Sequence, residues 1–278
     1  MILAAEMMYK DLPMKFIREW VEWHSYLGFD RLFILDHFSK ERLVYDHPKV
    51  QVFHADKEKI EAYPHCKDAK YKYFAMSWWW DHLINYEEWD WMAFIDSDEF
   101  VMLPQRFSLK NTLLSTEGDA VALNWKNFGP ADYEKDPPGR SLFAYEECLH
   151  HHSTKVIAKK SALVKHYNDV QNCHMPALKK QAKLVSSSGK ELKHECYSLE
   201  SGLADWDNIW INHYHLRSRE DWHRKQEAMK DTKDEMPWYW EEEHFQGCRE
   251  TSHVDRTAFG HEHTFRHDTN YSHAAGEG

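Results

Sequence analysis

A strand, a helix and a second strand follow one another within the first 36 residues, and this order strongly limits the possible folds. Residues 2–5 (ILAA) are apolar and favour a buried strand. From Met14 to Leu27 the apolar residues recur at helical spacing, and Gly28 supplies a common helix stop. Residues 31–36 (RLFILD) predict the next strand. Because two strands joined through a helix pair in parallel with a right-handed crossover, we expect an open α/β sheet.

The rest of the chain continues the pattern of short apolar runs separated by turn residues. The predicted strands are 50–54, 91–95, 119–125, 208–216 and a hairpin-sized pair at 154–158 and 161–166, and the predicted helices are 68–85, 108–114 and 218–230. Ser108 and Ser218 are suited to cap the helices that begin beside them. The segments 129–139 and 179–193 predict exposed loops, and we expect the polar, His-rich end from residue 247 to pack loosely.

Composition narrows the classes of partner. A chain of 278 residues with 42% hydrophobic content can bury the core of one large domain, and its net charge of −11 argues against nucleic acid. No apolar run is long enough to span a membrane, and the first residues lack the charged region of a signal peptide. The five cysteines are widely spaced and form no CxxC pair, which disfavours a disulfide framework and structural zinc. We therefore expect a soluble cytoplasmic protein.

An acidic cluster follows directly on the apolar run at 91–95. Residues 91–100 (WMAFIDSDEF) place Asp96 and Asp98 two positions apart at the end of a predicted strand. In open α/β sheets ligands lie beyond the carboxyl ends of the strands, so Asp36 and Asp96 both fall where a nucleotide would bind. Two such carboxylates can hold one divalent cation, and hard cations prefer carboxylate and phosphate oxygens. The cluster predicts a metal that holds the diphosphate of a nucleotide-activated sugar.

Several blocks of the sequence, in order from Lys10 to about Lys225, resemble glycosyltransferase family 92 and family 2-like proteins. The blocks are residues 9–11, 18–24, 27–36, 91–100, 124–129, 152–155 and 211–218. The chain departs from the family pattern where Lys10 and Asp11 stand for an Asn-Glu pair, and where GPAD at 129–132 stands for Gly-Ser-Ser-Gly. The resemblance implies an α/β fold of the GT-A type, Rossmann-like, with a central mixed, mostly parallel sheet flanked by helices.

The sequence shows no internal repeat and no obvious linker, so we expect one domain over residues 1–278, with a nucleotide-binding half at 1–103, an acceptor half at 104–235 and a C-terminal extension at 236–278. The resemblance implies the activity of the chain. The implied enzyme is a metal-dependent glycosyltransferase. It moves a sugar from a nucleotide-diphosphate donor, with a UDP-sugar favoured, to a glycan or glycoconjugate hydroxyl, with inversion.

Residue roles follow from the matched blocks. A Mn²⁺ or Mg²⁺ cofactor is expected on Asp98 and Asp96, the D-x-D pattern, with His213 from a late strand as third ligand. Asp96 is also a candidate for the donor ribose. Asp11 and Asp36 correspond to the positions of the base and ribose, and Lys155 could bind a diphosphate oxygen, with Arg217 and Arg219 as alternates.

An inverting transfer needs a base that removes the proton of the acceptor hydroxyl. Asp132 is the first candidate, with Glu134 and Glu147 behind it, and a solvated loop acid is the alternative for each. Two other functions remain open. A metal-dependent phosphoesterase would release phosphate without an acceptor, and a non-catalytic carbohydrate-binding protein would bind sugar without turnover.

Overall fold

A mixed sheet with helices on both faces organises the chain. The structure, a computed structural model, describes residues 1–55, 58, 71–164, 176–194, 203–230, 245 and 253–268. Its strands are β1 (Leu3–Tyr9), β2 (Arg31–Asp36), β3 (Val50–His54), β4 (Trp91–Phe94), β5 (Glu99–Met102), β6 (Ala120–Phe128), β7 (Glu147–Lys159), β8 (Leu184–Ser186), β9 (Glu191–Leu192), β10 (Trp210–His213) and β11 (His253–Val254). Its helices are α1 (Met14–Tyr26), α2 (Tyr71–Tyr86), α3 (Leu109–Ser115), α4 (Arg219–Lys230) and α5 (Thr257–Asp268), with short 3-10 turns at Ser141–Phe143 and Lys160–Ala162.

The strand order is β3-β2-β1-β4-β7-β6-β10-β5. The first four strands are parallel, β7 runs against both β4 and β6, and β5 runs against β10. Two further strands, β8 and β11, pair with β6 and β7, and β9 pairs with β8. Since β5, β7 and β9 oppose the direction of the others, the predicted mixed, mostly parallel α/β sheet is confirmed.

The helices bury apolar residues on opposite faces of this sheet. Alternate residues of β1 point to different faces, so Leu3 packs with α1 and Ala4 packs with α2. The predicted helix over 14–27 is confirmed, because α1 buries Trp20 and Trp23 completely and ends before Gly28, whose φ of +94° suits glycine. The serine caps at both predicted positions are also present.

Two predictions about the middle of the chain are wrong. The pair of strands predicted at 154–158 and 161–166 is not a hairpin. Residues 154–158 belong to β7, which is 13 residues long and begins at Glu147, and the chain then turns through the 3-10 segment Lys160–Ala162; residues 165–166 lie outside the described part. The polar stretch of β7 is accommodated because His150 stacks on Trp206 and His151 stacks on Trp125. The loop predicted at 179–193 contains the buried strand β8, which pairs in parallel with β6. A lysine on one side and a run of serine and glycine on the other hid this short apolar segment.

The C-terminal segment 253–268 packs firmly, so the expectation of loose packing is wrong for these residues. Phe265 is fully buried, and its ring contacts Trp23 of α1 at 5.4 Å. His261 is also buried and bonds the carbonyl of Leu103 at 2.9 Å. The first three residues of the helix predicted at 68–85 lie outside the described residues. Within the described part of the chain, no helix is long and apolar enough to cross a membrane.

The topology brings several chain segments to one edge of the sheet. Strands β1, β2, β4, β6 and β10 all end there, and β5 begins there. Only residues 95–98 connect β4 to β5, although β7, β6 and β10 lie between these strands in the sheet order. This segment, which contains both aspartates of the D-x-D pattern, therefore crosses the carboxyl edge of the sheet.

Candidate functional site

The crossing segment is closed by its own hydrogen bonds. The amide of Asp96 donates to the Glu99 side chain at 2.7 Å, and the amide of Glu99 donates to the Asp96 carbonyl at 3.1 Å. The carbonyl of Asp98 accepts from the amide of Tyr214, just past β10, at 2.8 Å. These bonds fix the backbone between the two aspartates, so their side chains leave a defined turn.

Lys155 of β7 lies beneath this turn. Its side chain is 2% exposed, and its Nζ is 2.7 Å from Asp96 Oδ2 and 3.4 Å from Glu99 Oε2. Burial raises the pKa of Glu99 well above its usual value, with Asp96 and Asp98 adding to the rise and Lys155 opposing it. Asp96 is 43% exposed, so it is the outward-facing acid of the cluster.

Asp98 is the inward-facing acid. Its side chain is 13% exposed, and its Oδ2 is 2.6 Å from Nζ of Lys225 in α4. Burial alone would raise the pKa of Asp98, but Lys225, His213 and Arg217 together hold it well below its usual range. Asp98 is therefore ionised at neutral pH.

His213 faces Asp98 from the end of β10. Its Nδ1 is 2.9 Å from Asn127 Oδ1 on the neighbouring strand β6, and its Nε2 is 3.8 Å from Asp98 Oδ1. Because the amide oxygen of Asn127 accepts a hydrogen bond, Nδ1 of His213 carries the hydrogen and Nε2 presents its lone pair. Burial lowers the pKa of His213 to about 4, so the ring is neutral at neutral pH. Two acceptor atoms thus face each other across 3.8 Å.

Asp98 Oδ1 and His213 Nε2 fit a divalent ion, since Mn²⁺ accepts both carboxylate and neutral imidazole ligands. The lysines already occupy other oxygens of the motif, Lys155 on Asp96 and Lys225 on Asp98. In the described ranges, no group of three or more His, Cys, Asp or Glu residues has the arrangement of a metal site. Asp98 and His213 are thus two possible ligands, and a metal ion at this place stays a prediction.

Asp11 and Asp36, predicted to contact the nucleotide, lie together at the ends of β1 and β2. Asp36 is buried, and its carboxylate accepts from the amides of Ser39 at 3.1 Å and Leu43 at 2.8 Å. Asp11 accepts from the amide of Lys40 at 2.8 Å, and its own amide donates to the Ser39 hydroxyl at 3.1 Å. Both acids therefore shape the loop after β2, and a direct contact to a nucleotide stays a prediction.

The three candidate bases lie between the end of β6 and the first residue of β7. Asp132 and Glu134 are exposed in the loop, and Glu147 is exposed at the start of β7. The carbonyl of Glu134 accepts from the amide of Glu220 at 3.1 Å, which places the loop against the first turn of α4. Lys225 lies five residues further on, a rise of about 8 Å along the helix. The loop that carries Asp132 and Glu134 therefore contacts the helix that carries Lys225, and the role of either acid as a base stays a prediction.

Asp136 anchors that loop. Its buried carboxylate accepts from the Ser218 hydroxyl at 2.6 Å and is paired with Arg224 at 2.8 Å and Lys15 at 3.1 Å. Burial opposes ionisation, but the Ser218 hydroxyl and the two cations hold the pKa of Asp136 below its usual value. The loop that carries Asp132 and Glu134 is therefore tied to both α1 and α4.

Sequence reasoning missed Lys225 and assigned Arg217 a different place. Lys225 is 127 residues from Asp98 in the chain, and the one local signal is its position one helical turn after Asp221. Arg217 is fully buried and donates to the carbonyl of Ser97 at 3.2 Å, so it supports the backbone of the crossing segment. Arg219, the other alternate, lies 3.6 Å from Glu134 in the loop.

No family model matches the sequence, and no curated protein matches it. Among solved structures, S. aureus TarS 1-349 is similar, with 11% sequence identity and a TM-score of 0.37. The match covers 100% of this chain and 76% of that chain. Similarity at this level carries no argument about function, which is therefore argued from the residues of the site.

Proposed function

We propose that this protein is a glycosyltransferase that moves a sugar from a nucleotide-diphosphate donor, with a UDP-sugar favoured, to a glycan hydroxyl. One observation carries the proposal. At the carboxyl edge of the sheet, an ionised Asp98 and a neutral His213 stand beside the ammonium groups of Lys155 and Lys225. Two metal-compatible acceptors flanked by two cations suit a diphosphate that binds with a divalent ion.

The leaving group determines what the site must do. When the bond from the anomeric carbon to the diphosphate oxygen breaks, the electron pair stays on that oxygen and negative charge grows there. A bound Mn²⁺ or Mg²⁺, held by Asp98 and His213 with Asp96 nearby, would neutralise part of this charge. Lys155 and Lys225 can donate charge-assisted hydrogen bonds to the phosphate oxygens, and these bonds strengthen as the charge develops.

The acceptor side needs a base. In an inverting transfer the acceptor oxygen bonds to the anomeric carbon opposite the leaving group, while its proton passes to a carboxylate. We propose Asp132 for this role, with Glu134 and Glu147 as the next candidates. The support for Asp132 is its place in an exposed loop that Asp136 anchors to α4, the helix that also carries Lys225.

A panel of nucleoside diphosphates, each with and without Mn²⁺, tests the proposal through the melting temperature. We expect UDP with Mn²⁺ to stabilise the protein, by about 2.7 kcal/mol when the ligand is at a hundred times its Kd. Asp98→Asn should abolish this stabilisation, because the amide neither carries the charge nor serves as a strong metal ligand. Release of UDP from UDP-sugars, followed in the presence of glycan acceptors, then measures transfer.

Asp119→Asn is the matched control. Asp119 also pairs with a lysine, Lys159, at 3.0 Å, but it precedes β6 at the opposite edge of the sheet. This variant should respond to UDP and Mn²⁺ as the wild type does. If no nucleoside diphosphate changes the melting temperature of the wild type, the proposal is wrong. Binding of a sugar without release of UDP would instead support the non-catalytic carbohydrate-binding alternative.

A further inference from the structure

Lys225 is held by several oxygen acceptors at the edge of the candidate site. Its Nζ lies 2.6 Å from Asp98 Oδ2 and 3.7 Å from Asp221 Oδ2, and it also donates to the carbonyl of His215. The side chain is mostly buried, so solvent screens these interactions only weakly. The ammonium group is therefore a well-placed partner of Asp98 when no ligand is bound.

This position conflicts with a divalent ion that binds alone. An ion on Asp98 Oδ1 and His213 Nε2 would share one carboxylate with the ammonium of Lys225, and the two like charges would repel at short range. The protein would also supply few ligands to that ion, because Asp96 is paired with Lys155. Both effects weaken the binding of a free metal ion.

A diphosphate removes both obstacles. Its oxygens add the ligands that the ion lacks, and they offer the ammonium of Lys225 an acceptor other than Asp98. Asp221, the other carboxylate near Lys225, keeps its ion pair with Arg224 at 2.7 Å. Helix α4 therefore need not move for this exchange. Only the flexible side chain of Lys225 has to turn.

We propose that Lys225 is the built-in counter-ion of Asp98 in the nucleotide-free protein, so that the divalent ion binds together with the nucleotide diphosphate rather than before it. This inference rests on the proposed function and adds an order of binding to it. Because coupling between two ligands is reciprocal, Mn²⁺ must raise the affinity for UDP by the same factor by which UDP raises the affinity for Mn²⁺.

Calorimetric titration of Mn²⁺ into the wild type, with and without saturating UDP, measures this coupling without any variant. We expect the Kd for Mn²⁺ to fall by about tenfold or more when UDP is present, a coupling in the usual range for linked sites. Equal Mn²⁺ affinity with and without UDP would overturn the inference.

Lys225→Met tests the residue itself, because methionine keeps much of the length and removes the charge. We expect nucleotide-free K225M to bind Mn²⁺ about tenfold more tightly than the wild type, and to bind UDP more weakly in saturating Mn²⁺. K225R, which keeps the charge, should resemble the wild type in its affinity for Mn²⁺ alone. K110M is the matched control, since Lys110 forms a 2.7 Å ion pair with Asp30 outside the candidate site.

The outcomes separate this inference from the proposed function. If UDP binds and sugar transfer proceeds, but K225M leaves the affinity for Mn²⁺ unchanged or lowers it, then Lys225 is not the counter-ion and the function stands. If neither wild type nor K225M binds Mn²⁺ in any state, the inference also fails. If no variant binds any nucleoside diphosphate, the proposed function fails as well.

Discussion

At the scale of single residues, the two aspartates of the D-x-D pattern have opposite surroundings. Asp96 is 43% exposed and paired with a lysine from the sheet, whereas Asp98 is 13% exposed and paired with a lysine from α4. The spacing in the sequence indicated that both acids would lie at a strand end. It could not indicate which one is buried, because that depends on where β7, β10 and α4 meet.

His24 provides a test of a buried neutral imidazole away from the candidate site. Its Nδ1 bonds the carbonyl of Trp20 at 2.8 Å, and its Nε2 accepts from the amide of Val101 at 3.3 Å. Burial lowers the pKa of His24 from 6.5 to about 3, so its contribution to stability is present above pH 6.5 and is lost as the pH falls toward 3.

We expect His24→Gln to lower the free energy of unfolding by about 1 kcal/mol at pH 7.5, because glutamine makes both hydrogen bonds less well. As the pH falls below 6.5, the wild type should lose about 1.4 kcal/mol per pH unit relative to the variant, because only the wild type carries the titrating ring. Urea unfolding at pH 7.5 and pH 5 measures both differences. A difference between the two proteins that stays constant with pH would contradict this account.

The sequence predicted part of the site for a physical reason that also explains the omissions. Asp96, Asp98 and His213 stand next to apolar runs, and a strand end is a position that sequence periodicity can locate. Lys225 and Asp136 lie in polar surroundings, and their partners are distant in the chain. Nothing local distinguishes such residues from solvated surface charges.

At the scale of elements, periodicity located most helices and strands but failed where polar residues lie inside a strand. The predicted bounds of β2 and β3 are those of the structure. Strand β5 was missed because it begins with the buried acid Glu99 and is four residues long. Strand β7 was shortened because three consecutive histidines precede its apolar half, and only the tertiary contacts of those rings explain their place in the sheet.

Asp136 joins the loop at 129–139 to α4, so replacing Asp136 tests this connection. We expect Asp136→Ala to lower the free energy of unfolding by about 2 kcal/mol, since it removes charge-assisted hydrogen bonds from a buried site. Arg224 keeps its second partner, Asp221, at 2.7 Å, so the loss should be limited to the loop contact. Urea unfolding and limited proteolysis within the loop measure the change.

The same variant also tests the division of the site into donor and acceptor sides. With the loop released, the KM for the glycan acceptor should rise, whereas the Kd for UDP with Mn²⁺ should remain that of the wild type. Asp119→Ala is the control, because it removes a carboxylate from a half-buried ion pair outside the loop. A loop that resists protease in D136A as it does in the wild type would show that other contacts hold it.

At the scale of the whole molecule, the sheet divides the core into two layers, and the C-terminal helix completes one of them. Phe265 of α5 is fully buried against α1, with ring contacts to Trp23 at 5.4 Å and Tyr26 at 5.2 Å. Periodicity could not reveal this role, because α5 is rich in His and other polar residues and contains few apolar ones.

We expect Phe265→Ala to lower the free energy of unfolding by about 3 to 5 kcal/mol, the usual range for removing a buried phenylalanine ring. Phe107, which is 39% exposed, offers the matched control, and F107A should cost much less. Chemical denaturation of both variants gives the comparison. Equal losses in the two variants would mean that the C-terminal helix contributes little to the cohesion of the core.

The pairing of β10 with β5 has a consequence for engineering this chain. His213 stands directly opposite Glu99, so the main-chain pairing of β10 with β5 sets the distance between the imidazole and the acidic turn. A slip of one residue would turn the ring to the opposite face and bring Asn212 into its place. An insertion or deletion within β5 or β10 is therefore expected to displace the imidazole from the acidic turn.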